Sequence, residues 1–169
     1  MGSAARGHLK GRRVLVVDDE MAIRRALEVR FADEGAATDV AEDVGAAKRR
    51  IAEKSYDLIV LDHRLPDGTG MALLQELKGA GLAAEIVMMT AYSSTEDAVK
   101  AMKVGAADYV MKPFDLDEMV LVCQRALEQQ MLRTEVKRLR SRDSAGSRVA
   151  DLVGRSRAMN DLRALVERV

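Results

Sequence analysis

A chain of 169 residues, 48% of them apolar and with a formal net charge of zero, can bury one compact domain of about 120 residues and carry an extension. The balanced charge gives no electrostatic case for nucleic-acid or membrane binding by this segment, and a single cysteine, Cys123, excludes an intrachain disulfide framework. No apolar run approaches the roughly 18–20 residues of a membrane span, so the expectation is a soluble, cytoplasmic protein without membrane contact.

Residues 1–11 lack the apolar stretch of a secretory signal, and Arg6 stands where myristoylation requires Ser or Thr. They read as a disordered tail ahead of a domain over 12–130. Val14-Leu15-Val16-Val17 opens that domain as a buried strand, and Ile23, Leu27 and Phe31 follow at helical spacing up to Gly35. Ala37-Thr38-Asp39-Val40 is a weaker strand, followed by a helix with Val44, Ala47 and Ile51 on one face. Leu58-Ile59-Val60-Leu61 is the third strand, and Leu74 with Leu77 marks the third helix, ending near Gly79 and Gly81. Ile86-Val87-Met88-Met89 is the fourth strand. A helix capped by Ser94 or Asp97 follows, with Ala98 and Met102 inward, and closes at Gly105.

Asp108-Tyr109-Val110-Met111 is the fifth strand, and Asp115 with Glu118 can form a capping box for the fifth helix. That helix continues without Gly or Pro to about Arg140. Three of the five strands are continuously apolar, as strands covered on both faces must be. Five βα units predict an α/β fold, a doubly wound five-stranded parallel sheet with an extended C-terminal helix. Residues 131–148 read as a helical linker ending in a flexible segment, Ser141 to Ser147, and 149–169 as the start of a further, truncated domain.

Right-handed crossovers bring the carboxyl ends of such strands to one crevice. Asp18 and Asp19 follow the first strand there and Asp62 follows the third. Taken singly, Asp18 or Glu20 is as well explained as a helix N-cap. Three carboxylates at strand ends would repel unless a cation sits among them, and hard oxygen ligands of this kind suit Mg²⁺. Thr90 ends the fourth strand and offers a hydroxyl to a phosphoryl oxygen. Lys112 ends the fifth and offers a fixed ammonium; Pro113 follows it, a position where the peptide bond can be cis. A carboxylate nucleophile, a cation site, a hydroxyl donor and a positive charge make a phosphoryl-transfer site that forms an aspartyl phosphate.

The segments Val14 to Glu20, Leu58 to Asp62 with Leu65-Pro66-Asp67-Gly68-Thr69-Gly70, Met89-Thr90-Ala91 and Lys112-Pro113-Phe114 resemble the response-regulator receiver domains of two-component systems, which have a flavodoxin-like fold. The resemblance covers about residues 13–130. It implies that Asp62 is the phosphoacceptor, modified by a sensor histidine kinase. It further implies that Asp19, Asp62 and the backbone carbonyl of Arg64 bind Mg²⁺ with Asp18 assisting. Thr90 and Lys112 would contact the phosphoryl group, and Tyr109 would be the switch residue that moves with Thr90. Arg64 and Tyr92, two past the acceptor and two past the threonine, would influence dephosphorylation. His63 reads as a neighbour pointing away from the crevice rather than as a catalytic base.

Thr90 to Ser93 and Ala98 to Tyr109 resemble receivers of the nitrogen-regulation class, which control AAA+ activators of sigma-54 RNA polymerase. Leu152 to Asn160 resembles the entry into that AAA+ domain, with Gly154 and Ser156 as a helix-start turn. It departs from the pattern at Arg155 and Arg157, where an acid and a proline are expected. No phosphate-binding Gly-Lys-Ser/Thr loop and no helix-turn-helix occur in the sequence. The chain therefore reads as part of a longer regulator, engaging DNA and polymerase only through domains absent from it. It would be a signalling switch rather than an enzyme, apart from its own phosphorylation and dephosphorylation. Leu132, Val136 and Leu139, spaced by four and three, predict a short coiled-coil seam and a homodimer. Two other readings stand beside it: a Mg²⁺-dependent phosphatase that forms an aspartyl phosphate, and a pseudo-receiver that docks without being phosphorylated.

Overall fold

The computed structural model describes the backbone of residues 7–91 and 94–166, with side chains as far as residue 145. The chain divides into two compact units, Met1–Gln129 and Gln130–Val169. In the first, β1 (Arg13–Val17), α1 (Met21–Asp33), β2 (Ala37–Ala41), α2 (Val44–Glu53) and β3 (Leu58–Asp62) follow in order. A two-residue pair comes next, β4 (Arg64–Leu65) with β5 (Gly68–Thr69), then α3 (Gly70–Gly79), β6 (Glu85–Thr90), α4 (Thr95–Val104) and β7 (Asp108–Met111). The last helix, α5 (Leu116–Val166), begins in the first unit and supplies the second.

The five long strands form one parallel sheet in the order β2-β1-β3-β6-β7. The side chains alternate between its two faces. Leu15, Ile59, Leu61, Ile86 and Met88 pack with Ala46 and Ala47 of α2, Leu73, Leu74 and Leu77 of α3, and Ala101 of α4. Val14, Val16, Leu58, Val60, Val87 and Met89 pack with Leu27 and Phe31 of α1 and with Met119, Val120, Cys123 and Leu127 of α5. Every residue of β3 and β6 is buried, which is why their sequences are apolar on both phases. Each large side chain so removed from water contributes about 1.5–3 kcal/mol.

The order β2-β1-β3 reverses direction of winding at β1, and this places the carboxyl ends of β1, β3, β6 and β7 around one crevice. Side-chain caps start several of the helices. Asp43 Oδ1 accepts the Ala46 amide at 2.6 Å to start α2, and Ser94 Oγ accepts the Asp97 amide at 3.3 Å to start α4. Asp115 Oδ1 accepts the amides of Asp117 and Glu118 at the start of α5.

Three expectations need correction. Residues 7–11 are not a free tail. Leu9 is fully buried in the core cluster that also holds residues of α1 and α5, and the amides of Gly7 and His8 donate to Glu34 Oε2 at 2.9 and 3.2 Å. Gly11 donates to the Gly35 carbonyl at 3.0 Å, and Gly35 holds φ +86°, where a Cβ would crowd the Lys10 backbone at 3.1 Å. Residues 1–6 lie outside the described residues. On α4 the inward position is Ala101, whereas Met102 is 48% exposed, because β7 and α3 face the helix one residue earlier than the apolar pair indicates. Finally, α5 runs helical through Ser141–Ser147 and through the turn expected at Gly154–Ser156. Each glycine there costs a helix about 1 kcal/mol against alanine, which the surrounding Arg, Ala and Leu residues offset.

Candidate functional site

The crevice is built on strand ends. Asp18 follows β1 and is fully buried; its Oδ1 accepts the Glu20 amide at 2.8 Å. Asp62 closes β3 at 6% exposure and Thr90 closes β6 at 1%. Lys112 follows β7, its amide donating to the Thr90 carbonyl at 2.6 Å and its bond to Pro113 cis. The lysine Nζ lies 2.7 Å from Asp18 Oδ2, 3.2 Å from Asp62 Oδ2 and 3.2 Å from Glu20 Oε1. One ammonium from late in the first unit's sequence thus bridges three carboxylates from its first half.

The electrostatics follow from burial. Loss of solvation raises the Asp18 carboxyl above its ordinary value, against the lowering effect of the Lys112 contact. Asp62 is raised by burial first and then by the negative charge of Asp18, while Lys112 and the Arg64 amide pull it down. Burial works against the Lys112 charge too, but its pairing with Asp18 and Asp62 outweighs that and raises it. The site therefore carries more negative charge than its lysine comfortably neutralises.

Asp18, Asp19 and Glu20 each present an oxygen within 4.8 Å of the others. Asp19 and Glu20 are exposed, so a hydrated cation can reach them. This all-carboxylate oxygen set, with Asp62 joined to it through Lys112, fits the hard, incompletely dehydrated Mg²⁺. Asp18, Asp19 and Glu20 are the side chains that would hold it, with the Asp62 carboxylate sharing Lys112 with Asp18 beside them.

Three further residues contribute to the site. Glu20 occupies the N-cap position of α1 but makes no side-chain cap bond; its carboxylate serves the acidic cluster instead. Three successive acids after a buried strand were the available signal. Arg24 donates from Nη1 to the carbonyls of Asp18 and Asp19 at 2.7 and 2.9 Å and so fixes the loop; nothing in the local pattern marks it. Gly70 lies so close to the Asp62 backbone that an added Cβ would sit 2.1 Å from the Asp62 carbonyl oxygen. Its amide donates to the His63 carbonyl at 2.8 Å.

The β4–β5 loop is anchored from outside: both oxygens of Asp67 accept amides at the start of α2, from Val44 at 2.8 Å and Gly45 at 3.0 Å. These amide bonds lower the Asp67 carboxyl. Of the remaining expected residues, Arg64 is in β4 and donates its amide to the Asp62 carboxylate. Tyr109 packs against the α2–α3–α4 side of the sheet. Tyr92 lies outside the described residues.

Residues 14–124 match the family model described as the response regulator receiver domain. The chain is 37% identical over 150 residues to the regulatory protein AtoC of Escherichia coli, covering 89% of this chain and 32% of that one. It is 36% identical over 158 residues to the nitrogen assimilation regulatory protein NtrX of Azorhizobium caulinodans, covering 92% and 34%. The chain thus spans about a third of the length of these two curated relatives. Among solved structures it is similar to NtrX of Brucella abortus, with a TM-score of 0.73 at 38% identity over 78% of this chain and 30% of that chain. It is similar also to the beryllofluoride-activated NtrC4 receiver domain dimer, with a TM-score of 0.66 at 35% identity over 70% and 98%.

Proposed function

The chain belongs to the response regulator receiver domain family, and from that premise we propose that it is a phosphorylation-driven switch with Asp62 as the phosphoacceptor. The observation that carries the reading is the convergence of Lys112 Nζ on the carboxylates of Asp62 and Asp18 at the ends of three strands. The donor is a phosphohistidine of a sensor kinase. An Asp62 oxygen attacks phosphorus in line; the P–O bond to Asp62 forms as the P–N bond breaks, and the departing imidazole takes up a proton.

Before transfer, Lys112 holds the Asp62 carboxylate in place. During transfer its ammonium can exchange a carboxylate contact for a phosphoryl oxygen, meeting charge as it arrives. Thr90, buried at the end of β6, supplies a hydroxyl to a second oxygen. Mg²⁺, when bound by the carboxylates named above, adds the positive charge that lets a phosphoryl group approach an anionic crevice. Gly70 and Arg24 keep the loops in register. The resulting acyl phosphate biases Thr90 and Tyr109 toward a second arrangement.

The readout lies in the longer regulator. In this reading the chain acts without enzymatic turnover of other substrates, dimerises, and controls a downstream AAA+ activator of sigma-54 polymerase, with DNA contacted only by domains outside it. Similarity to AtoC, NtrX and the NtrC4 receiver dimer supports this. Exposure to a small phosphodonor with Mg²⁺, followed by mapping of the label, tests it. Stable label on Asp62, absent from Asp62→Asn, is expected. Turnover of the phosphodonor without accumulation would favour the phosphatase, and no labelling at all the pseudo-receiver.

A further inference from the structure

Among the buried side-chain atoms without a hydrogen-bond partner among the described residues are Nδ1 of His63, the residue after Asp62, and the hydroxyl of Tyr109. They lie on the same face of the sheet. Ile59 and Leu61 of β3 point toward α2, α3 and α4. The ladder extends one residue past β3, since the His63 amide donates to the Met89 carbonyl at 2.8 Å, so His63 falls in phase with them. Thr90 is in phase with Ile86 and Met88 on β6, and Tyr109 packs against the same layer from β7, opposite Met88. His63, Thr90 and Tyr109 therefore occupy three adjacent strands on one face, with Thr90 in the middle.

The His63 backbone is held from both sides. Its amide is bound to Met89 and its carbonyl accepts the Gly70 amide at 2.8 Å. A phenol donates, and a neutral imidazole nitrogen accepts, so the two orphaned atoms are complementary. Leaving both unmade is unfavourable. A leucine and a phenylalanine would fill the same space without that penalty, which points to an arrangement in which the two are satisfied.

We propose that His63 is a positioning residue for the switch: once Asp62 is phosphorylated, the Tyr109 hydroxyl donates to His63 Nδ1. This rests on Asp62 being the phosphoacceptor. Thr90 engages the phosphoryl group and vacates space beside it, and Tyr109 moves across that space toward β3. A hydrogen bond made in only one of two states shifts their ratio about fivefold.

The test uses the full chain with ¹⁵N-labelled histidine, with and without beryllofluoride and Mg²⁺. Of the two histidines, His8 and His63, the second is assigned from His63→Asn. Bound fluoride, read by ¹⁹F and absent in Asp62→Asn, reports phosphoryl-analogue binding independently. The expected result is that His63 Nδ1 moves to the shift of a hydrogen-bonded acceptor on loading, and that Tyr109→Phe abolishes the move while fluoride stays bound. In uniformly ¹⁵N-labelled chain, His63→Leu should lower the ratio of switched to resting state, read from the Tyr109 amide shift, about fivefold. His63→Asn, whose side-chain oxygen can replace Nδ1 as acceptor, should restore it. An unmoved Nδ1 with fluoride bound, or the same move in Tyr109→Phe, overturns the proposal alone. Failure of fluoride to bind overturns the phosphoacceptor reading with it.

Discussion

The Lys112 ammonium and the Asp62 carboxylate sit 3.2 Å apart although 50 residues separate them in the chain. The contact makes the crevice a balance between one cation and several anions, and that balance is measurable through pH. Asp62 and Asp18 both have carboxyls raised by burial above the ordinary 3.8. Their contribution to stability is therefore fully present below that value and is lost as pH rises through their folded-state values.

Asp62→Asn removes one of these ionisations. At neutral pH without divalent cations it should be more stable than wild type by about 1 kcal/mol, and the difference should vanish in acid. Lys112→Met should do the opposite, losing about 3 kcal/mol at neutral pH because two buried carboxylates lose their partner. That loss should shrink as both protonate. Urea midpoints across a pH series check both signs, and added Mg²⁺ should stabilise wild type more than Asp62→Asn.

Gly70→Ala places a methyl 2.1 Å from the Asp62 carbonyl oxygen, backbone that cannot yield without moving the acceptor. A loss of about 2–3 kcal/mol is expected, with slower labelling of Asp62 by a small phosphodonor. Thermal melts and labelling rates measured together decide it. Normal labelling at reduced stability would show that the acceptor loop tolerates the shift.

Glu34 is buried, yet its carboxyl is lowered. Burial opposes its charge, while Arg30 at 2.6 Å and the amides of Gly7 and His8 outweigh that. Arg30 in turn donates to Asp117 at the start of α5, at 2.8 Å. Glu34→Gln should cost about 2 kcal/mol at neutral pH. Because the folded value is depressed, the wild-type advantage holds above the ordinary glutamate value and disappears as pH falls through the folded one. Hydrogen exchange should show faster opening of the amides of Gly7 and His8.

In the second unit Leu132, Val136 and Leu139 are 66%, 45% and 48% exposed, and their spacing is that of a coiled-coil seam barely two heptads long. Such a seam is marginal by itself. The full chain is expected to self-associate in sedimentation, more so with beryllofluoride, and a chain ending at Gln130 to do so less. Two monomers under both conditions would reject the seam.

Sequence alone determined the sheet and which polar residues end its strands. A parallel sheet covered on both faces requires unbroken apolar runs, so Leu58–Leu61 and Ile86–Met89 were legible as central strands, and the polar residues that end them could only be functional or caps. Asp18, Asp62, Thr90 and Lys112 followed from that position, since winding order brings strand ends together whatever the side chains. What periodicity cannot supply is the identity of a neighbour distant in sequence. That Leu9 is buried in the core, that Glu34 grips the segment before β1, and that Glu20 turns from a cap into a partner of Lys112 were decided by tertiary packing. So was the choice of Ala101 over Met102 on α4. Each depends on which surface arrives opposite, and only the folded chain settles that, because burial is a property of two surfaces and sequence periodicity describes one.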